Sequence, residues 1–204
     1  MSGYVAEVPD AASPRELSRA EARRAYNAFL ESRAARVQML GELVGRDGVT
    51  LGGSDAEVQA LNDWFLSNLQ PDLERPGEPM VVWYSIAHDI GIHLGEVMIA
   101  RHPNLRWEFF TWGKKSRHFQ RPVIMGFRTE DPKYHTNMDP PAAAQVYMRN
   151  ALAERGHTVP QGTVEVRGVV IDLDAVERRH PPHADPTELV QWLALAARRN
   201  GGDA

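Results

Sequence analysis

VVWYSIAHDIGIHLGEVMIAR, Val81 to Arg101, is the stretch whose reading decides the fold. At 100° per residue, Ile86, Ile90, Leu94 and Val97 share one side, with Gly91, Gly95 and Met98 beside them. His88, Ile92 and Ile99 fall on the back, and only a narrow strip of Asp89, His93, Glu96 and Ala100 is polar or small. A helix apolar around most of its circumference has neighbours on most sides, so the pattern predicts a central helix over 81–101. Gly91 and Gly95 each cost about 1 kcal/mol against alanine in a helix. Set four apart they share a face, and the expected return is close approach of another backbone.

Downstream, Pro103-Asn104 ends this helix. Leu105 to Trp112 alternates as a strand, with Leu105, Trp107 and Phe109 on one face. Residues 122–128 repeat the pattern with Val123, Met125 and Phe127, and the two are expected to pair around the polar loop Gly113 to Arg121. A long polar loop at 129–140 precedes a helix at about 141–155. Thr163 to Leu173 is β-rich, and Gly168 marks either a bulge or a turn that splits it in two. Asp174 is expected to cap a short helix, and Asp185-Pro186-Thr187-Glu188 to open the last helix with a capping box.

Upstream, two starts compete for the first helix, Ser13-Pro14-Arg15-Glu16 and Ser18-x-x-Glu21, and Asp47-Gly48 ends it. Ser54 and Glu57 box the start of a second helix with Val58, Leu61, Trp64, Phe65 and Leu69 inside, and Pro71 stops it. The expected class is α+β. A small antiparallel or mixed sheet of three to four strands packs on the central glycine-containing helix, with the N-terminal helices alongside. Residues 1–12 read as a flexible tail and 13–204 as a single domain, in which 13–46 is the N-terminal helix and a candidate appended arm. Strict βαβ alternation is missing, which argues against a doubly wound nucleotide-binding fold.

The chain has 204 residues, 43% hydrophobic and 25% charged, with net charge −4, which disfavours bulk attraction to nucleic acid or anionic lipid. It has no cysteine, so thiol nucleophiles and cysteine-held zinc are excluded. Twenty arginines against three lysines, with abundant alanine, point to GC-rich coding of the actinobacterial kind. With neither a membrane-length apolar run nor the basic-then-apolar order of a secretory signal, the expected location is the cytoplasm.

Three groups of residues could carry chemistry. Asp89, His93 and Glu96, at i, i+4 and i+7, line one helix stripe that suits a divalent metal or an acid–base group. The plain alternative is the one wet side of a buried helix. His88 and His93 are five apart, about 140° around the helix, and cannot share an ion as a zincin pair would. Lys114, Lys115, Arg117 and Arg121 make the hairpin loop a candidate anion site: residues 101–121 hold six cations against Glu108 alone. Tyr134 and His135, in the 129–140 loop, are the third candidate. The tryptophans mostly fall on apolar stripes, with Trp83 and Trp112 the expected exceptions.

The helix residues Asp89, Gly91, Leu94, Gly95 and Glu96, the strand residue Trp107 and the Pro122-Val123 strand start together resemble a bacterial, actinobacterial-type α+β domain family. In that family a D-x-G-x-x-L-G-E helix precedes a tryptophan-bearing hairpin. The resemblance implies the fold and no activity; some similar domains sit beside toxin systems as immunity-type proteins. The leading expectation is therefore a non-enzymatic cytoplasmic binding protein, immunity-like in one version, with another protein as partner, no cofactor and no membrane. The alternatives are a divalent-metal enzyme using Asp89, His93 and Glu96, and phosphate or nucleic-acid binding through 113–121.

Overall fold

The computed structural model describes residues 3–7, 14–75, 77–128, 136–157, 163–166, 169–172 and 183–201. Helix α1 spans Arg19–Gly45 and starts at the second of the two competing boxes. The Ser18 hydroxyl accepts from the Glu21 amide at 3.3 Å, and the Glu21 carboxylate accepts from the Ser18 amide at 2.9 Å. Ser54 and Glu57 close the same box on α2, Asp55–Asn68, which buries Val58, Leu61, Trp64 and Phe65.

Helix α3, Val81–Arg101, has the predicted bounds and is the spine of the molecule. Trp83, Ile86, Ile90, Ile92, Leu94 and Met98 are inaccessible to solvent. Each large side chain buried in this way stabilises the fold by about 1.5–3 kcal/mol. Trp83 is thus a core residue and no exception: it packs at 6.0 Å from the Trp64 ring and 5.8 Å from Phe65. Trp112 is half exposed.

The β-ribbon forms as expected. Strands β1, Arg106–Phe109, and β2, Pro122–Met125, pair antiparallel with Trp107 opposite Ile124. Leu105, Trp107 and Phe109 face inward, and so do both Val123 and Ile124. The indole of Trp107 lies over Gly95, where a methyl group would overlap the ring. Gly91 admits the backbone of Pro140 and Pro141, which open α4, Pro140–Glu154. Of the two glycines, then, Gly91 meets a backbone and Gly95 meets a ring.

Among the described residues the expected sheet of three to four strands does not form, and two separate two-stranded ribbons stand in its place. Among the described residues, strands β3, Thr163–Val166, and β4, Val169–Asp172, pair only with each other, Val166 opposite Val169, while Gly168 lies outside the described residues. A two-residue link between four-residue strands uses their ladder bonds within the hairpin. The free edge of β2 gains one bridge, Ile124 with Met138, at 2.7 and 3.0 Å. Pro140 at the helix start then turns that segment into α4.

The last helix, α5, is Glu188–Arg199. Its expected capping box is absent. Asp185 instead accepts from the Thr187 amide and hydroxyl at 2.8 and 2.6 Å, and the Glu188 carboxylate accepts from Trp192 Nε1 at 2.8 Å. The expected helix after Asp174 lies outside the described residues. Among the described residues, no helix is long and apolar enough to cross a membrane.

Candidate functional site

The polar stripe of α3 is engaged along its whole length. Arg36 of α1 reaches Asp89 with two hydrogen bonds, Nε to Oδ1 at 2.9 Å and Nη2 to Oδ2 at 2.6 Å. The Tyr4 hydroxyl, from the stretch read as a tail, donates to Asp89 Oδ2 at 2.5 Å. Arg36 also donates to Ser85 Oγ at 2.7 Å and to the Val5 carbonyl at 2.9 Å. Burial raises the Asp89 carboxyl above the usual carboxylate range, against the pull of Arg36 and Tyr4. Arg36, though burial works against its charge, is held above the ordinary arginine value by the same carboxylate. The two directions pull apart. The bidentate fork with a third donor is the geometry of an ionised carboxylate, so the pair is an ion pair.

His93 and Glu96 are similarly occupied. His93 Nε2 lies 3.0 Å from the Gly52 carbonyl, which fixes a proton on that nitrogen in the neutral ring. Burial lowers its pKa, with Glu96 and Glu57 opposing. Glu96 Oε1 accepts from Arg33 at 2.5 Å and from Trp107 Nε1 at 2.8 Å. Asp89 and Glu96 thus reach α1, Glu96 also reaches β1, and His93 reaches Gly52, and no group of three potential metal ligands is found among the described residues. His88, facing α1, has its ring edge-on to Phe29 at 6.1 Å. Burial lowers its pKa to about 4, with Arg121 and Arg36 pushing the same way and Asp139 opposing.

The basic loop is divided. Lys114 and Lys115 stand exposed at its tip. Arg117 and Arg121 line a cleft of about 440 Å³ between this loop, the segment before α4, and helices α4 and α5. Gln120 positions this turn in the left-handed region at φ 62°, held there by its amide, which donates to the Pro14 and Leu17 carbonyls at 2.7 and 2.9 Å. Arg121 Nε donates to Asp139 Oδ2 at 2.5 Å, while Asp139 Oδ1 accepts from the Ala142 amide at 3.0 Å and caps α4. Arg117 Nε donates to His118 Nε2 at 3.0 Å. Tyr134 and His135 lie outside the described residues.

Helices α4 and α5 supply the other walls at helical spacing: Ala143, Val146, Tyr147 and Asn150 from one, Glu188, Trp192, Leu195 and Arg199 from the other. Tyr147 gives its hydroxyl to the Asp185 carbonyl at 2.8 Å and to Asn62 at 3.0 Å, and burial raises its pKa to about 12. Its ring meets Trp192 edge to face at 6.1 Å. Arg117 and Arg121 were legible as anion-binding candidates, but the α4 and α5 walls of the cleft were not. The signal was present, since Trp192, Leu195 and Arg199 continue a face of α5 past its buried Leu189, Leu193 and Ala196, but nothing local says that this face looks onto α4.

No family model matches the chain, and searches of curated proteins and of solved structures find no match.

Proposed function

We propose that this chain is a non-enzymatic binding protein that holds a small molecule in the cleft between the 117–121 turn, α4 and α5. The cleft carries the reading. Its volume of about 440 Å³ falls within the range of small-ligand sites, and apolar walls there meet a few converging polar groups. The state of the α3 stripe supports the non-enzymatic part: Asp89, His93 and Glu96 tie α1, the 46–54 connection and β1 to the spine, each through its own structural hydrogen bonds. A cytoplasmic setting, compatible with a cysteine-free chain, belongs to the same proposal.

A thermal-shift screen of small metabolites tests it. A ligand at a hundred times its Kd stabilises the fold by about 2.7 kcal/mol, roughly 5–10 °C for a chain of this size. Hits are expected for the native chain and are expected to vanish in Ala143→Trp, which fills the cleft. A screen without hits, or hits that survive in the filled variant, sinks the reading.

A further inference from the structure

Resting on that reading, we infer that the ligand is a small organic anion, a carboxylate or phosphate monoester, carrying a flat apolar body. Three cations reach the cleft, Arg117, Arg121 and Arg199, against two carboxylates, Asp139 and Glu188. Both carboxylates are occupied: Asp139 holds Arg121 and caps α4, and Glu188 holds the Trp192 indole N–H. That leaves Arg117 and Arg199 without a carboxylate among the described residues.

Arg199 is the stronger anchor. It is partly buried, and its Nη1 touches only the Asn137 carbonyl at 3.2 Å. Burial lowers its pKa, and no acid among the described residues offsets the loss of water. A half-buried guanidinium in that state gains from any anion that reaches it, because the attraction is stronger where water is excluded. Its planar fork matches carboxylate and phosphate oxygens two at a time. Arg117 is exposed at the rim of the same cleft, and among the described residues only its Nε is bonded, to His118, which leaves its terminal nitrogens for an anion.

The apolar surfaces of α4 and α5 select the rest of the molecule. Trp192 has given its indole N–H to Glu188, which leaves ring surface at the cleft, and the nearly buried Tyr147 ring, its hydroxyl also spent on the protein, backs it. Val146 is half exposed, although α4 buries its other large apolar residues, and Leu195 follows on α5. Ring and aliphatic surfaces of this kind favour a planar apolar group over a sugar or a polar chain.

Calorimetric titration of the full chain with phenyl phosphate, benzoate and benzamide tests the inference. Phenyl phosphate or benzoate should bind at least tenfold tighter than benzamide, and the difference between those two tells phosphate from carboxylate. Arg199→Gln and Arg117→Gln should each weaken the anion at least fivefold and leave benzamide unchanged. If Arg199→Gln does not fold, Arg117→Gln carries the comparison, because that side chain is exposed. Equal binding of benzamide and the anions, indifferent to both variants, overturns the anion inference and leaves the cleft as a ligand site. No binding by any of the three, together with a metabolite screen without hits, overturns both.

Discussion

Arg36 and Asp89 face each other 53 positions apart in the chain and are joined by two hydrogen bonds, at 2.9 and 2.6 Å, in a place almost closed to solvent. Removing one partner strands a buried charge, which costs about 3–5 kcal/mol. Asp89→Ala and Arg36→Met should each lower the urea midpoint by that equivalent. The paired Arg36→Met, Asp89→Leu variant should recover much of the loss, as apolar replacements of buried pairs commonly do. Additive losses in the double variant would mean that the pair is not coupled.

Gly91 offers a sharper test of the spine. Alanine is favoured over glycine in a helix by about 1 kcal/mol, yet a methyl here would overlap Pro141. Gly91→Ala should therefore destabilise by more than about 2 kcal/mol, within the range for overpacked cores. Gly45→Ala, at the end of α1 with open space where the methyl would go, should be neutral or stabilising by up to about 1 kcal/mol. Equal melting shifts in the two variants would refute the packing of α4 on α3.

Those two positions also show how far the chain could be read. The bounds of α3 and the inward alternation of β1 were legible because a buried helix and a half-buried strand write their periods directly into apolar spacing. The partners across space were not. Arg33 and Arg36 lie in register with Phe29 and Leu40 on the inner side of α1, and only the carboxylates of α3 opposite make cations tolerable there. Three hydrophobic strand signals gave a sheet on paper. Four-residue strands closed by a two-residue link leave the pairing to tertiary geometry, which spacing does not carry.

His88 should make stability depend on pH in mild acid. Its folded pKa of about 4 lies below the ordinary 6.5, so the folded chain binds fewer protons than the unfolded chain between those values. Stability therefore rises with pH across that window and is lost as acid is added through it. The loss should be on the order of 2 kcal/mol between pH 7 and pH 4.5. His88→Gln should remove most of that slope, with His93, lowered in the same direction, supplying the remainder. Urea midpoints at the two pH values measure it, and an unchanged slope in His88→Gln would exclude this ring as the source.

The α3 stripe should be indifferent to metal. Untagged protein analysed for zinc, manganese and magnesium should contain none in stoichiometric amount, and adding each should leave the melting temperature within about 1 °C. A shift abolished by His93→Gln would restore the stripe as a metal site.

The contact of Gly91 with Pro141 has a mechanical consequence for the cleft. Backbone rests on backbone there, so no pliable side chain separates α4 from the spine. Helix α5 is seated differently, on the side chains of Leu189, Leu193 and Ala196, which can slide and repack. One jaw is thus clamped and the other sprung, and any widening to admit a bulkier guest must come from α5 swinging away from a wall that stays where it is.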